Sequence, residues 1–170
     1  MEVWDAYKED GSLAGCDLIR GESIPDGLYH LISDILVRHV DGSYLLMQRD
    51  WEKEIYPGRL EATASGSVLK GETLLNGTIR ELKEETGITP TVLLTQIGNL
   101  QAYDDGTIFY QFLCITDCDK SSVTLQEGET ISYKWLSEDE FIKFVNSDEC
   151  MPRQKDRLTT HWDSIRCVKI

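Results

Sequence analysis

From Glu72 to Gly87 the chain reads Glu-Thr-Leu-Leu-Asn-Gly-Thr-Ile-Arg-Glu-Leu-Lys-Glu-Glu-Thr-Gly, and no other stretch restricts the fold as tightly. Leu75, Ile79 and Leu82 recur at helical spacing, and Gly87 stands where a left-handed residue would end a helix. The pattern therefore predicts one amphipathic helix over 72–86 with those three apolar residues against a core. Gly77 costs such a helix about 1 kcal/mol relative to alanine, which tertiary packing must offset. Glu81, Glu84 and Glu85 lie three and four positions apart, so their carboxylates share a second face.

A helix with one apolar face needs a partner layer, and the flanking segments read as strands. Val3 to Tyr7 and Leu13 to Ile19 are expected to form a hairpin about the polar turn 8–12. Strands are expected at Leu31 to Val37, at Tyr44 to Met47 after the Asp41-Gly42 turn, and at the small-residue run Ala62 to Val68. Beyond the helix, Val92 to Ile97, Ile108 to Ile115 and Ile131 to Trp135 read as strands, the first two parted by an Asp104-Asp105-Gly106 turn. Ser137 then caps a helix whose apolar side is Phe141, Ile142, Phe144 and Val145, while the tail from Pro152 to Ile170 gives no clear pattern. Strands on both sides of a central helix, without repeats or linkers, predict one mixed α/β (α+β) domain over 1–170, with 1–28 as an accessory hairpin and loop. Trp51 and Tyr56 are read as core residues in preference to surfaces for a base or an isoprenoid tail.

Charge narrows the function. With 17 Lys and Arg against 30 Asp and Glu, the net charge of −13 argues against a protein that grips polymeric nucleic acid. A small anionic substrate would need a metal ion or a local basic cluster, and Arg49, Lys53 and Arg59 are the candidates for the latter. No apolar run approaches the roughly 20 residues needed to span a bilayer, and the N-terminus lacks the features of a signal peptide. A soluble, cytoplasmic protein is expected. The five scattered cysteines read as reduced thiols, with Cys114 and Cys118 forming no zinc motif.

Like charges on one helix face repel by a few tenths of a kcal/mol per pair, so stability alone does not favour Glu81, Glu84 and Glu85 together. A hard dication reverses that sign, because Mg²⁺ takes oxygen ligands shared between a few carboxylates and substrate phosphates. Diphosphate cleavage needs neutralised phosphate oxygens and an activated water, and carboxylate-held metals suit both needs. Glu81 is close enough to such a site to orient or deprotonate water.

Gly66, five residues, Glu72, seven residues, Arg80-Glu81-Leu82, any residue, Glu84-Glu85, any residue and Gly87-Ile88 resemble a complete Nudix box over 66–88. The resemblance implies an α/β/α sandwich with a mixed central sheet, and hydrolysis of a diphosphate bond in a small nucleoside-diphosphate-linked or related substrate with Mg²⁺ or Mn²⁺. It assigns the metals to Glu81, Glu84 and Glu85, a bracing role to Glu72 and Arg80, and a place in the metal shell to the Ser65 carbonyl. A later acidic ligand of the family falls to Glu127 or Glu129. Arg49, Lys53, Arg59, His30 and Gly66 are the substrate-side residues.

Trp4-Asp5-Ala6-Tyr7, Arg20-Gly21, Tyr29-His30, Gln48-Arg49, Lys53 and Pro57-Gly58 are similar to a branch close to isopentenyl-diphosphate isomerases. Aligned by the box, the isomerase cysteine falls at Ser65 and a ligand histidine at Ser67, while His30 matches another ligand histidine. Serine is a far weaker thiolate surrogate and proton donor, so hydrolysis is the reading kept, with isomerase and a non-catalytic nucleotide-binding module as alternatives. A lone histidine opening an apolar strand is also read as a hydrogen-bonded structural residue. Through Trp4 and Tyr7 the hairpin could pair with a second subunit as a homodimer.

Overall fold

A computed structural model describes residues 1–98 and 101–169 of the chain. Near the N-terminus, β1 (Val3–Tyr7) and β2 (Leu13–Ile19) form the expected antiparallel hairpin. The main sheet is built from β3 (His30–His39), β4 (Tyr44–Arg49), β5 (Leu60–Glu61), β6 (Thr63–Ser67), β7 (Leu93–Gln96), β8 (Gln101–Tyr103), β9 (Thr107–Thr116) and β10 (Thr130–Leu136). Its path is β10-β4-β3-β9-β7, with β3 and β9 parallel from His30 opposite Thr107 to His39 opposite Thr116 and the other pairs antiparallel. The sheet is therefore mixed, and the period-two alternation of its strands fills two cores. Ile35, Val37, Leu45, Met47, Phe112 and Cys114 pack on one face with Leu82 of the helix α1 (Leu74–Thr86). Leu36, Tyr44, Leu46, Leu113 and Ile115 pack on the other with Phe141, Phe144, Leu158 and Ile165 from the helices α2 (Glu138–Asn146), α3 (Pro152–Thr160) and α4 (Trp162–Cys167). This is the α/β/α sandwich.

One irregularity creates the functional crevice. β3 and β4 pair at Arg38 and Tyr44, and then diverge. Into the gap come β5, paired to β4, and β6, paired to β3. The splayed strands leave an opening floored by small side chains of β6 and roofed by α1.

The helix differs from expectation in its ends and its face. Thr73 is the N-cap, accepting from the Asn76 backbone N–H at 3.2 Å, so Glu72 lies in the preceding loop. Gly87 ends the helix at φ 71° as anticipated. The buried side is Gly77, Thr78, Leu82 and Thr86, whereas Leu75 and Ile79 are 52% and 37% exposed. Close packing on the sheet selects the stripe of small residues: a Cβ on Gly77 would stand 3.1 Å from Val68, and Ser33 donates to the Thr78 hydroxyl at 3.0 Å. The same contact explains why a helix interior keeps a glycine.

Other expectations are corrected. The Asp104-Asp105-Gly106 turn joins β8 to β9, so a further short strand intervenes after β7. Trp51 and Tyr56 are not core residues, being 68% and 44% exposed, because the loop between β4 and β5 runs over the rim of the crevice. The patternless tail forms α3 and α4, and it was illegible because α3 buries Gln154 and Arg157 together with Leu158. Ser137 caps α2 with a full capping box to Glu140, as expected, and all five cysteines are free. No helix among the described residues is long and apolar enough to cross a membrane.

Candidate active site

Arg80 organises the acidic face of α1. Its Nε and Nη2 each donate to the Glu72 carboxylate at 2.8 Å, and Nη2 also donates to the Ser67 carbonyl at 2.9 Å. Its Nη1 reaches Glu81 at 2.6 Å and Glu84 at 3.1 Å. Glu72 in turn accepts the Leu69 N–H at 2.9 Å, so loop and helix are stapled together by a charge-assisted fork. The Arg80 guanidinium holds Glu72 below the usual carboxylate range despite partial burial.

Glu81 and Glu85 lie deeper in the crevice than the exposed Glu84. Burial raises the Glu81 carboxyl against the pull of Arg80. Glu85 is raised well above the ordinary value, by burial first and then by the charges of Glu61 and Glu81. A donor to Glu85 is the Ser65 backbone N–H, at 3.2 Å. In an extended strand the N–H and C=O of one residue project to the same edge, so the Ser65 carbonyl shares that open side of β6. The opposite edge of β6 is consumed by pairing with β3.

Gly66 is explained by proximity. A Cβ there would lie 2.0 Å from the Glu81 carboxyl carbon, a distance only a displaced Glu81 could relieve. Because the obstacle is the end of a flexible side chain, Gly66→Ala is expected to fold with a melting temperature near wild type while losing most of its turnover. Equal loss of stability and activity would contradict this account.

Glu81, Glu84, Glu85 and Ser65 line a cleft of about 670 Å³ that also takes in Arg49, Lys53, Glu61 and Glu129. Arg49 donates to Glu61 at 2.8 Å, and Lys53 is paired with Glu129. Arg59 is turned elsewhere: it donates to the Asp148 carbonyl and lines a separate hollow with Gln48 and Ser132. Glu127 is exposed outside the cleft, so of the two loop acids only Glu129 is brought to it. His30 is buried, stacked on Trp4 with ring centroids 4.1 Å apart, and 3.3 Å from the Ser67 hydroxyl through Nδ1. Burial pushes its pKa down to about 4, so it is neutral near pH 7. Tyr7 bridges Tyr29, and with Trp4 on His30 the hairpin is docked beside the cleft.

Two contributions escaped sequence reasoning. Glu61 projects to the helix side between Leu60 and Ala62, which pack on the other layer, an alternation that was readable in Leu-Glu-Ala. Asp34, fully buried on β3, pairs with Arg157 at 2.9 Å and accepts the Ser65 and Thr63 hydroxyls at 2.6 Å each. Burial opposes its charge, but Arg157 and these donors hold Asp34 below its usual range. An aspartate inside the apolar run 31–37 was a visible signal, whereas nothing marked Arg157 as its partner.

The carboxylates fit a hard dication. Glu61, Glu81 and Glu85 bring three largely desolvated acids to one crevice, where Arg49 pairs with Glu61 and Arg80 with Glu81, and among the described residues no cationic side chain is bonded to Glu85. Among the described residues no three potential ligands yet converge on one point, since Arg80 draws Glu81 and Glu84 aside and Lys53 draws Glu129. Oxygen donors, incomplete neutralisation and an open mouth are what Mg²⁺ or Mn²⁺ requires.

Comparison with known proteins places this arrangement. The chain is 32% identical to a Nudix hydrolase of Listeria monocytogenes over 152 residues, 89% of each protein. Its fold superposes on the Deinococcus radiodurans protein DR0079 with a TM-score of 0.76 at 15% identity, covering 95% of this chain and 99% of that one. The NUDIX domain of Shewanella oneidensis NrtR, solved with ADP ribose, superposes with a TM-score of 0.58 at 16% identity over 81% of this chain and 84% of that one. The NUDIX domain family model matches residues 28–158, which contain the whole box and both helical layers up to Leu158, and the chain thus belongs to the Nudix family of hydrolases.

Proposed function

We propose that this protein hydrolyses a diphosphate linkage in a small nucleoside-diphosphate-linked or related substrate, with Mg²⁺ or Mn²⁺ held by Glu81, Glu84, Glu85 and the Ser65 carbonyl. The observation that carries the reading is Glu85: a half-buried carboxylate to which no cationic side chain is bonded among the described residues, on the same cleft as two more box acids. The bound metal would neutralise phosphate oxygens and lower the pKa of a water. Glu81, with a proton affinity raised by burial, takes the proton as the water oxygen attacks phosphorus and the bridging P–O bond breaks. Arg80, fixed by Glu72, keeps Glu81 in place. Arg49 and Lys53, across the cleft from α1, bind the oxygens of the diphosphate.

ADP ribose, bound by the Shewanella domain, is one compound of the proposed class. The isomerase alternative gains nothing from the residues here. The Ser65 hydroxyl donates to Asp34 and the Ser67 hydroxyl contacts His30, so neither offers a thiol or a metal-binding imidazole.

Incubation with Mg²⁺ and a panel including ADP ribose and isopentenyl diphosphate, scored for phosphate release and alkene isomerisation, tests the reading. Metal-dependent cleavage supports it; isomerisation without cleavage refutes it. With the cleaved substrate in hand, Arg49→Gln and Lys53→Met are each expected to raise KM about tenfold or more, the worth of one charged hydrogen bond. Wild-type KM in both would remove them from the binding site.

A further inference from the structure

Glu61 occupies the two-residue strand β5 inside the sheet's opening. Its Cα pairs with that of Met47, and directly opposed residues of antiparallel strands project to the same face. Met47 is buried under α1, so Glu61 also turns toward the α1 side of the sheet, and it lines the same cleft as Glu85. The Glu61 side chain is 16% exposed and has Arg49 as its ion-pair partner. Beside them the Thr130 hydroxyl is buried, lines the same cleft and has no hydrogen-bond partner among the described residues. Thr130 lies opposite Arg49 in the β10–β4 pairing, which puts it next to the Glu61 ion pair.

Two like-charged carboxylates in one desolvated hollow repel, and an orphaned buried hydroxyl adds cost. A dication between the carboxylates, with the hydroxyl accepting from one of its waters, offsets both terms. We propose that Glu61 is a further carboxylate of the metal site, supplied from outside the helical motif and held ready by Arg49. This rests on the metal reading of the box acids above. It also gives Arg49 two uses, since a Glu61 drawn to metal releases the guanidinium for a phosphate oxygen.

The test is titration of Mn²⁺ alone into the chelator-treated full-length chain, following free Mn²⁺ by electron paramagnetic resonance. Glu61→Gln is expected to weaken Mn²⁺ binding about tenfold or more, and Arg49→Met to bind Mn²⁺ at least as tightly as wild type, because it removes a competing positive charge. If Glu61→Gln does not fold, as judged by circular dichroism, Glu61→Asp carries the same expectation, with a shorter reach for the metal. Glu85→Gln serves as reference. Wild-type affinity in the Glu61 variant alongside loss in Glu85→Gln overturns the role of Glu61 and leaves the box reading intact. Equal weakening in the Glu61 and Arg49 variants assigns the pair a structural role and also overturns it, whereas undiminished binding in Glu85→Gln refutes the underlying metal site.

Discussion

Replacing Glu85 by glutamine should lower kcat by about 10²–10³-fold, the usual consequence of deleting one group that stabilises transition-state charge, while the metal-free protein melts at a higher temperature than wild type. Both effects come from the same burial. In the role proposed for it the carboxylate would be a ligand of the bound metal; without metal, it is a desolvated charge repelled by Glu61 and Glu81, with a proton affinity raised well above normal. Glutamine keeps the size and can still accept the Ser65 N–H, but it carries no charge to be repelled. For a domain of this length each kcal/mol recovered raises the melting temperature by about 2–4 °C. Added Mg²⁺ should stabilise wild type and leave Glu85→Gln much less affected, because only a native state that binds the ion is favoured by it. Thermal melts with and without chelator, run beside turnover assays, decide the matter. Full activity, or a metal-free variant less stable than wild type, would remove Glu85 from the role assigned to it.

Arg157→Met should cause the largest loss of stability of any single change considered, about 3–5 kcal/mol, because it leaves the buried Asp34 carboxylate without its counter-ion. Among the described residues Asp34 then keeps the Thr63 and Ser65 hydroxyls and the Gln111 amide as donors. The guanidinium also lies 3.9 Å from the Phe109 ring centroid, a contact that methionine replaces only as an apolar one. At about 2–4 °C per kcal/mol the melting temperature should fall by about 6–20 °C. The double variant Asp34→Asn with Arg157→Met should recover a good part of this, since the uncompensated charge is then gone. Urea unfolding of wild type, both single variants and the double variant gives the coupling. A loss below about 1 kcal/mol in Arg157→Met, the worth of an exposed pair, would show that the pair is not sealed off from water as its burial requires.

The strands were legible wherever apolar residues alternated, as in 31–37 and 44–47, and α1 and α2 were legible from cap, period and stop. β8, three residues long, was not seen, because a strand that short carries too little alternation to separate it from a turn. α3 was missed for a different reason. Its buried side is largely polar, with Gln154 bonded to the Ala62 N–H and Thr63 hydroxyl and Arg157 to Asp34, and apolar periodicity does not register such a face.

The amino-acid sequence by itself determined the helix with its three carboxylates on one side, the glycines that end it and open its approach, the Arg80–Glu72 brace, and thereby the family and its reaction class, because these depend on residue type and local spacing. Only the tertiary structure decided which helical stripe is buried, that Arg49 and Lys53 face the cleft while Arg59 does not, that Glu129 and not Glu127 reaches it, and that Glu61 joins Glu85. Those outcomes follow from the divergence of β3 and β4 and the wedging of β5 and β6 between them. Which residues meet across a gap of that kind depends on how strands separate in space, and spacing along one strand carries no record of it.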